Sequence, residues 1–268
     1  MTEQTTTGRV SLQSHPHLEG VAVLCFENAD KLNAVSVGMW QQLHRLMGGL
    51  AEREPGLRAV IVRGAGGTFV SGGDIEEFPA FRFEEQRLRH FHEQVVAPAL
   101  QAMYQCDVPL IAQIERVCVG GGLEIACQCD IRIAGRSARF GAPIARLGFP
   151  MAIDELAGVV RVAGWATAAE ILLEARLLDA ASAHQRGLVQ RLVDDEGVAA
   201  EAEATAARIA AGAPLAARLN KRTLRLIAPQ PVFSEADRQA LAAYATGPDH
   251  REGISAFLEK RKPSFTGA

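Results

Sequence analysis

Short apolar runs, separated by glycine-rich loops and amphipathic segments, occupy most of the chain before residue 199. After Ser36, a good N-cap residue, apolar side chains from Met39 to Leu50 recur at three- and four-residue spacing, as on the buried face of a helix. Strands that alternate with loops and helices predict an α/β fold. The runs with the length and β-branched content of buried strands are residues 20–26, 59–62, 110–114 and 131–134.

The pattern changes after Val198, where the chain becomes alanine-rich and predicts a series of helices. Such helices are stable only when they pack on apolar surface, so they either complete the core or cover an active site or a subunit interface. We therefore divide the chain into an α/β core, 1–198, and a C-terminal helical region, 199–268. The predicted helices are residues 199–211, 214–226, 234–245 and 249–262.

Composition narrows the class of protein. The chain has 48% hydrophobic and 22% charged residues and a net charge of -3, as an ordinary globular protein does. Without a basic surplus we expect no nucleic-acid partner. Neither a signal peptide nor a long uncharged apolar run is visible, so we expect no membrane association and a cytoplasmic location. The five cysteines are odd in number and scattered, which indicates reduced thiols and no metal site.

Candidate chemistry lies in two glycine clusters, each after a predicted strand and before a predicted helix: Ser71-Gly-Gly-Asp-Ile75 and Gly120-Gly-Gly-Leu-Glu124. Nucleophile-elbow, P-loop and His-Glu-x-x-His motifs are absent from the sequence, which argues against serine hydrolases, P-loop nucleotidases and zincins. Either cluster alone could be only a tight strand-to-helix turn. The two together predict a binding site.

Glycine at such a junction lets a backbone N–H approach a ligand closely, and the following helix directs its positive end at the same point. Two N–H donors converging on one oxygen would form an oxyanion hole for a carbonyl. Glu124 follows Gly121 by three residues and lies on the same helical face one turn later. Its carboxyl group could serve as a general base or orient a water molecule.

Six segments of the chain, in order, resemble those of the crotonase (enoyl-CoA hydratase/isomerase) superfamily. The resemblance covers roughly residues 8–266. The segments are Asp30-Lys-Leu-Asn-Ala34, Thr68-Phe-Val-Ser-Gly-Gly-Asp-Ile75, residues 117–126 with Cys129-Asp130, Phe140-Gly-Ala-Pro143, residues 181–189 and residues 252–261.

The resemblance implies a spiral of ββα units with a C-terminal helical trimerisation region, assembled as a homotrimer or a dimer of trimers. It implies an acyl-CoA thioester as substrate and no separate cofactor, because coenzyme A is part of the substrate. The implied catalytic groups are the backbone N–H groups of Ser71 and Gly121 and the carboxyl group of Glu124. The implied substrate-binding residues are Lys31, Leu32 and Ala34 along the CoA path, Gly73, Asp74 and Ile75 beside the adenine, Gly72 and Gly120 in the two glycine clusters, and Ile144 directly after the Phe140–Pro143 segment.

The family pattern is broken at Ile144, where hydratases of this type carry a second glutamate. Hydration needs one group to deprotonate water and another to protonate carbon, whereas one group suffices for double-bond migration. Asp154 or Glu155 could replace the missing carboxylate, or both could lie in a surface loop. His90 and His92 could approach the acyl pocket or lie on the surface as amphipathic histidines.

Two further positions have alternative interpretations. Asp74, with Glu77 three residues later, could form a capping box for the next helix instead of binding substrate. Arg116 stands where the family usually has glycine, and the sequence offers no physical reason for it.

We predict an enoyl-CoA hydratase-like enzyme that acts through an oxyanion-stabilised thioester enolate. One alternative is an enoyl-CoA isomerase or another single-acid enzyme of CoA thioesters, such as a hydrolase or decarboxylase. An alternative of another class is a non-catalytic CoA- or RNA-binding module with the same fold. No motif indicates the acyl group.

Overall fold

The computed structural model describes residues 8–227 and 234–264, which form a mixed α/β structure around two sheets. The larger sheet has the order β1-β2-β3-β4-β6-β9, antiparallel between β1 and β2 and parallel elsewhere, and the smaller has the order β5-β7-β8. The strands are β1 (Arg9–Ser14), β2 (Val21–Glu27), β3 (Ala59–Gly64), β4 (Leu110–Ile114), β5 (Val117–Val119), β6 (Ile131–Gly135), β7 (Arg139–Gly141), β8 (Leu177–Asp179) and β9 (Arg191–Val193).

The four predicted strands are confirmed as β2, β3, β4 and β6, and β4 has the predicted bounds. They are mostly apolar because parallel strands in the middle of a sheet are buried on both faces. The sequence pattern did not predict β1, because β1 is an edge strand with exposed polar side chains and lacks a continuous apolar run. β5, β7, β8 and β9 have three residues each, too few to show a period.

Eleven α-helices lie within the described part of the chain. Ser36 caps α1 as predicted, since its hydroxyl oxygen accepts the N–H of Met39 at 3.3 Å. The helices are α1 (Val37–Met47), α2 (Leu50–Arg53), α3 (Glu85–His90), α4 (Ala97–Gln105), α5 (Gly121–Ala126), α6 (Ile153–Leu173), α7 (Ala180–Gln185), α8 (Val198–Ala210), α9 (Pro214–Ile227), α10 (Glu235–Ala242) and α11 (Pro248–Leu258). A π-helical segment, Phe91–Val96, joins α3 to α4, and 3₁₀ turns include Ile75–Ala80 and Pro143–Leu147.

The predicted C-terminal helices correspond to α8–α11, although residues 228–233 and 265–268 lie outside the described part. Ala202 and Ala206 of α8 pack on the larger sheet against Val21, Ile61 and Ile111. The helical region and the core thus share a hydrophobic cluster, and the boundary after residue 198 stays a prediction.

Helix α6 is long and apolar enough by composition to cross a membrane. Its backbone, however, is non-helical at Gly164 (φ 75°, ψ 160°), which divides it into two shorter helices. Neither has the ~20 residues that a membrane span requires. A third of its most apolar stretch is already buried in the protein.

Arg116 has φ 56°, in the left-handed region that favours glycine. This conformation turns the chain between β4 and β5, and the carbonyl oxygen of Arg116 accepts the N–H of Arg139 at 2.6 Å. The tight turn is a physical reason for glycine at this position in the family.

Candidate active site

A cavity of about 340 Å³ lies where the two glycine segments meet. Its walls come from both segments, α5, the start of α6, the 3₁₀ turn Pro143–Leu147, the π-helical segment and Phe257 of α11. Residues far apart in the sequence therefore surround one space.

Backbone hydrogen bonds fix the two glycine segments side by side. The N–H of Val70 donates to the carbonyl of Val117 at 3.0 Å, and the N–H of Val119 donates back to Val70 at 3.1 Å. The segments approach closely, since a methyl group on Gly122 would lie 2.2 Å from the carbonyl oxygen of Val70, and one on Gly121 would lie 3.7 Å from the nitrogen of Gly73. The two segments thus bring two backbone N–H groups close together at the cavity.

The structure corrects one predicted oxyanion donor. The N–H of Ser71 donates to the carbonyl of Leu32 at 3.2 Å, so this group is occupied within the protein. Gly73 lies two residues further, past the turn at Gly72 (φ 126°), and its N–H has no acceptor among the described residues. Gly121 is the first residue of α5, so its N–H has no intrahelical acceptor. Gly73 and Gly121, and not Ser71 and Gly121, present the two N–H groups.

Glu124 is buried in the first turn of α5 and lines the cavity. Burial raises the pKa of its carboxyl group well above the usual range, and the negative charge of Glu155 raises it further, against a smaller opposing effect of Arg82. A carboxyl group with a raised pKa keeps its proton to higher pH than an exposed carboxyl group does, and it can donate that proton.

Glu155, in the first turn of α6, is a second buried carboxylate of the same cavity. Its Oε1 lies 2.5 Å from Nδ1 of His92 in the π-helical segment. Asp154, one residue earlier, does not line this cavity, and its carboxylate accepts a hydrogen bond from Arg238. Of the two acids proposed as replacements, the structure brings only Glu155 to the cavity.

Of the two histidines, His92 lines the cavity and His90 does not. His90 is exposed, whereas His92 is largely buried and its Nε2 has no hydrogen-bond partner among the described residues. The interpretation of both as surface histidines is therefore wrong for His92. Ile144 is half-buried and lines the same cavity as Glu124 and Glu155, without a polar group.

Arg82 is a cavity residue that the sequence did not reveal. It is 5% exposed, and its guanidinium lies 4.1 Å from the ring centroids of both Phe78 and Phe149. The segment before α3 that carries it has no readable motif. A buried arginine in contact with two aromatic rings is nevertheless a permanent positive charge.

The Asp30–Ala34 segment lies beside the site and outside the cavity wall. Lys31 Nζ binds Asp74 Oδ2 at 2.7 Å and Glu76 Oε2 at 2.8 Å, and these contacts raise the pKa of Lys31. Leu32 is exposed, and Ala34 is buried, its carbonyl accepting from the Asn28 side chain. Asp74 caps the 3₁₀ turn Ile75–Ala80 through the N–H of Glu76.

The predicted capping box is only half present. Glu77 does not reach back to Asp74, because its carboxylate accepts the N–H of Val37 at the start of α1 at 2.7 Å. Of the predicted site residues, those that line the cavity are Ser71, Gly72, Gly73, Ile75, Gly120, Gly121, Glu124 and Ile144, and those that do not are Lys31, Leu32, Ala34 and Asp74.

No group of three metal-ligating side chains occurs in residues 8–227 and 234–264. The five cysteines are unpaired. Neither finding bears on the proposed chemistry, which uses backbone N–H groups and carboxyl groups.

The comparisons with known proteins agree with this geometry. A family model described as enoyl-CoA hydratase/isomerase matches residues 17–268. The mevalonyl-coenzyme A hydratase of Aspergillus fumigatus is 28% identical, over 96% of this chain and 98% of that protein. The crystal structure of an enoyl-CoA hydratase/carnithine racemase from Magnetospirillum magneticum is 41% identical, with a TM-score of 0.78 over 97% of this chain and 96% of that one.

A methylmalonyl-CoA decarboxylase in complex with 2-nitronate-propionyl-CoA is 26% identical and has a TM-score of 0.84, over 97% of this chain and 98% of that one. Relatives and solved structures thus match almost the whole chain. The fold and the six matching segments lead to one conclusion: this chain belongs to the enoyl-CoA hydratase/isomerase family, the crotonase superfamily.

Proposed function

We propose that the protein hydrates a 2-enoyl-CoA to a 3-hydroxyacyl-CoA and catalyses the reverse dehydration. The observation that carries this proposal is Glu155, a buried carboxylate that shares the cavity with Glu124. It supplies the second acid/base group that is missing at Ile144.

In this mechanism the thioester carbonyl oxygen accepts hydrogen bonds from the N–H groups of Gly73 and Gly121. Electron density moves from the C=C bond toward that oxygen, which the two donors stabilise as an enolate. The neutral carboxyl group of Glu124 gives its proton to C2. Water loses a proton to the Glu155 carboxylate, held by His92, and its oxygen bonds to C3. Proton exchange with solvent resets both groups.

Two carboxyl groups in one cavity favour hydration over reactions that need a single group. Double-bond migration moves one proton between two carbons, which a single carboxylate can do, so the second carboxylate would have no role in that reaction. Glu155 is buried and held by His92 at 2.5 Å, as a group with a fixed catalytic position should be.

The remaining parts of the proposal concern binding and assembly. We propose that the CoA portion passes Lys31 and the Asp30–Ala34 segment outside the cavity, and that no separate cofactor takes part. A homotrimer or dimer of trimers would cover the exposed leucines of α9, among them Leu215 and Leu224. Sedimentation equilibrium measures this assembly, and a monomer at micromolar concentration would contradict it. The cytoplasmic location stays a prediction.

Product mass tests the reaction itself. Purified protein with crotonyl-CoA in isotopically labelled water should give a product heavier by one labelled water. Glu124→Gln should lower turnover by about 100- to 10,000-fold with nearly unchanged affinity for the CoA ester. Glu84→Gln, an exposed carboxylate outside the cavity, is the control and should keep full turnover. Unchanged mass, or release of free CoA, would identify isomerisation or hydrolysis instead.

A further inference from the structure

Two buried carboxyl groups line the cavity, and their surroundings differ. Glu124 is 7% exposed and Glu155 is 4% exposed. Nδ1 of His92 lies 2.5 Å from Oε1 of Glu155. The carboxyl group of Glu124 has no hydrogen-bond partner within residues 8–227 and 234–264, and Gln128 donates only to its backbone carbonyl. Two carboxyl groups in one buried site do not ionise together easily, so the one that is stabilised as a carboxylate determines the state of the other.

The π-helical segment Phe91–Val96 carries His92 between α3 and α4. Single turns of this kind within a helix are rare and are frequently found at functional sites. The ring of Phe91 stacks on the ring of Phe81 with centroids 4.2 Å apart, and the ring of His92 packs edge-on against Phe91 at 5.2 Å. The His92 side chain is 13% exposed. Its imidazole ring is therefore held by aromatic packing in a largely buried place.

The hydrogen of the neutral imidazole ring is assigned to Nδ1. Nε2 is buried and has no hydrogen-bond partner among the described residues, so a hydrogen on Nε2 would lack an acceptor. A hydrogen on Nδ1 has the Glu155 carboxylate as its acceptor. A hydrogen bond to a carboxylate stabilises the charged form. The contact with His92 therefore favours an ionised Glu155.

The remaining charged groups near this pair do not contact Glu155. Burial raises the pKa of Glu124, and the charge of Glu155 raises it further, against a smaller opposing effect of Arg82. Asp154 of α6 is bound by Arg238, and Tyr104 of α4 packs on Arg161, both outside the cavity. Within the described part of the chain, the titratable or charged side chains that line the cavity are Arg82, His92, Glu124, Arg146 and Glu155.

We propose that His92 determines which of the two carboxyl groups is ionised, because it donates its Nδ1–H to Glu155 and so leaves the shared proton on Glu124. His92 is a positioning residue, since it acts on the reaction through Glu155. The inference deepens the proposed function and rests on it only for the reaction that the two groups perform. Without this N–H the proton is distributed over both carboxyl groups, and fewer molecules hold the acid and the base in their required states.

Asparagine and leucine at position 92 form a matched pair of replacements. Both side chains branch at Cγ and have nearly the same shape, and both lack the imidazole ring. The amide nitrogen of asparagine occupies the place of Nδ1 and can donate to Glu155, whereas leucine has no donor. A role in packing alone would make His92→Asn and His92→Leu behave alike. A role as hydrogen-bond donor separates them.

Carbon-13 NMR of the glutamate carboxyl groups tests the inference without requiring turnover, with Glu124→Gln and Glu155→Gln to assign the two signals. As the pH rises, Glu155 should lose its proton before Glu124 in the unaltered protein and in His92→Asn. In His92→Leu, Glu155 should lose its proton at higher pH than in the unaltered protein. Nitrogen-15 NMR of the unaltered protein should show the hydrogen of His92 on Nδ1.

Turnover of crotonyl-CoA gives a second readout. His92→Leu should lower kcat by about 10- to 100-fold, the effect of losing a hydrogen bond to a charged group, and should move the acid limb of the pH profile to higher pH. His92→Asn should keep most of kcat and the original acid limb. His90→Leu is the control and should change neither, because His90 is exposed and does not line the cavity.

Equal carboxyl titrations in His92→Asn and His92→Leu would overturn the inference and leave His92 with a role in packing. If His92→Leu fails to fold, the unaltered protein still decides the matter, since loss of the proton from Glu124 before Glu155 would also overturn it. A protein with the expected titrations that hydrates no enoyl-CoA would retain this inference and refute the proposed reaction.

Discussion

Replacing Glu155 by glutamine removes the second acid/base group of the proposed mechanism and little else. Glutamine has the same shape, and its amide oxygen can still accept from Nδ1 of His92. Exchanging a charge-assisted hydrogen bond for a neutral one costs about 1 kcal/mol of stability. The catalytic loss is larger, about 100- to 10,000-fold in kcat, or about 2.7 to 5.5 kcal/mol of barrier.

The same replacement also changes the pH profile. The negative charge of Glu155 helps to raise the pKa of Glu124, so its removal lowers that pKa. Glu124 must be neutral to give its proton, and activity is lost as the pH rises through its pKa. The alkaline limb of the residual activity in Glu155→Gln should therefore move to lower pH.

The assay follows the ultraviolet absorbance of the conjugated thioester during crotonyl-CoA hydration. Asp154→Asn is the control: the neighbouring carboxylate binds Arg238 outside the cavity, and its loss should leave kcat and the pH profile unchanged. Ile144→Glu in the Glu155→Gln background should restore part of the rate by returning a carboxylate to the family's usual position. Unchanged kcat in Glu155→Gln would refute the assignment of Glu155.

Three further predictions concern the carbonyl site, acid stability and a strained turn. Gly121→Pro removes one oxyanion donor and should reduce kcat by at least about 100-fold, and a bound enoyl thioester should lose its Raman shift; a surviving shift would contradict the assignment. Burial and the charge of Arg82 lower the pKa of His250 from 6.5 to about 4 in the folded protein. Between these two pH values the unfolded chain binds a proton at His250 and the folded protein does not, so stability falls as the pH falls. Urea unfolding should show about 3 kcal/mol of stability lost between pH ~6.5 and ~4, and His250→Gln should lack this loss. Arg116→Gly should raise the free energy of unfolding by up to about 1 kcal/mol, because it relieves a left-handed residue; a lower Tm would argue against strain.

The glycine segments and Glu124 could be predicted from sequence because their spacing relative to a strand end and a helix start is local information. Which residue supplies the first N–H donor to the carbonyl could not be predicted from the sequence. Whether the N–H of Ser71 or of Gly73 faces the cavity depends on the turn at Gly72 and on the carbonyl of Leu32, which comes from a distant part of the chain. Long-range hydrogen bonds of this kind leave no trace in residue spacing.

Glu155 shows a signal that sequence reasoning could have used. It precedes Gly158 and Val159 by three and four residues, so it continues the buried stripe of α6, whereas Asp154 falls beside it on another face. The stripe predicts a buried carboxylate, which is rare unless the residue has a function. Arg82 had no comparable signal, because it lies in a turn whose position is set by the packing of Phe78 and Phe149.

Helix α11 adds a consequence for how the protein is made. Phe257 of α11 is part of the cavity wall, and Gly253 allows the helix to approach Leu147 so closely that a methyl group there would lie 2.4 Å from its carbonyl oxygen. This helix follows every other cavity element in the chain, and a ribosome delivers the N-terminal part first. A nascent chain that ends before residue 248 would have its sheets, glycine segments and both carboxylates, but its cavity would lack the wall that Phe257 provides. The closed cavity therefore forms later in synthesis than the folded core.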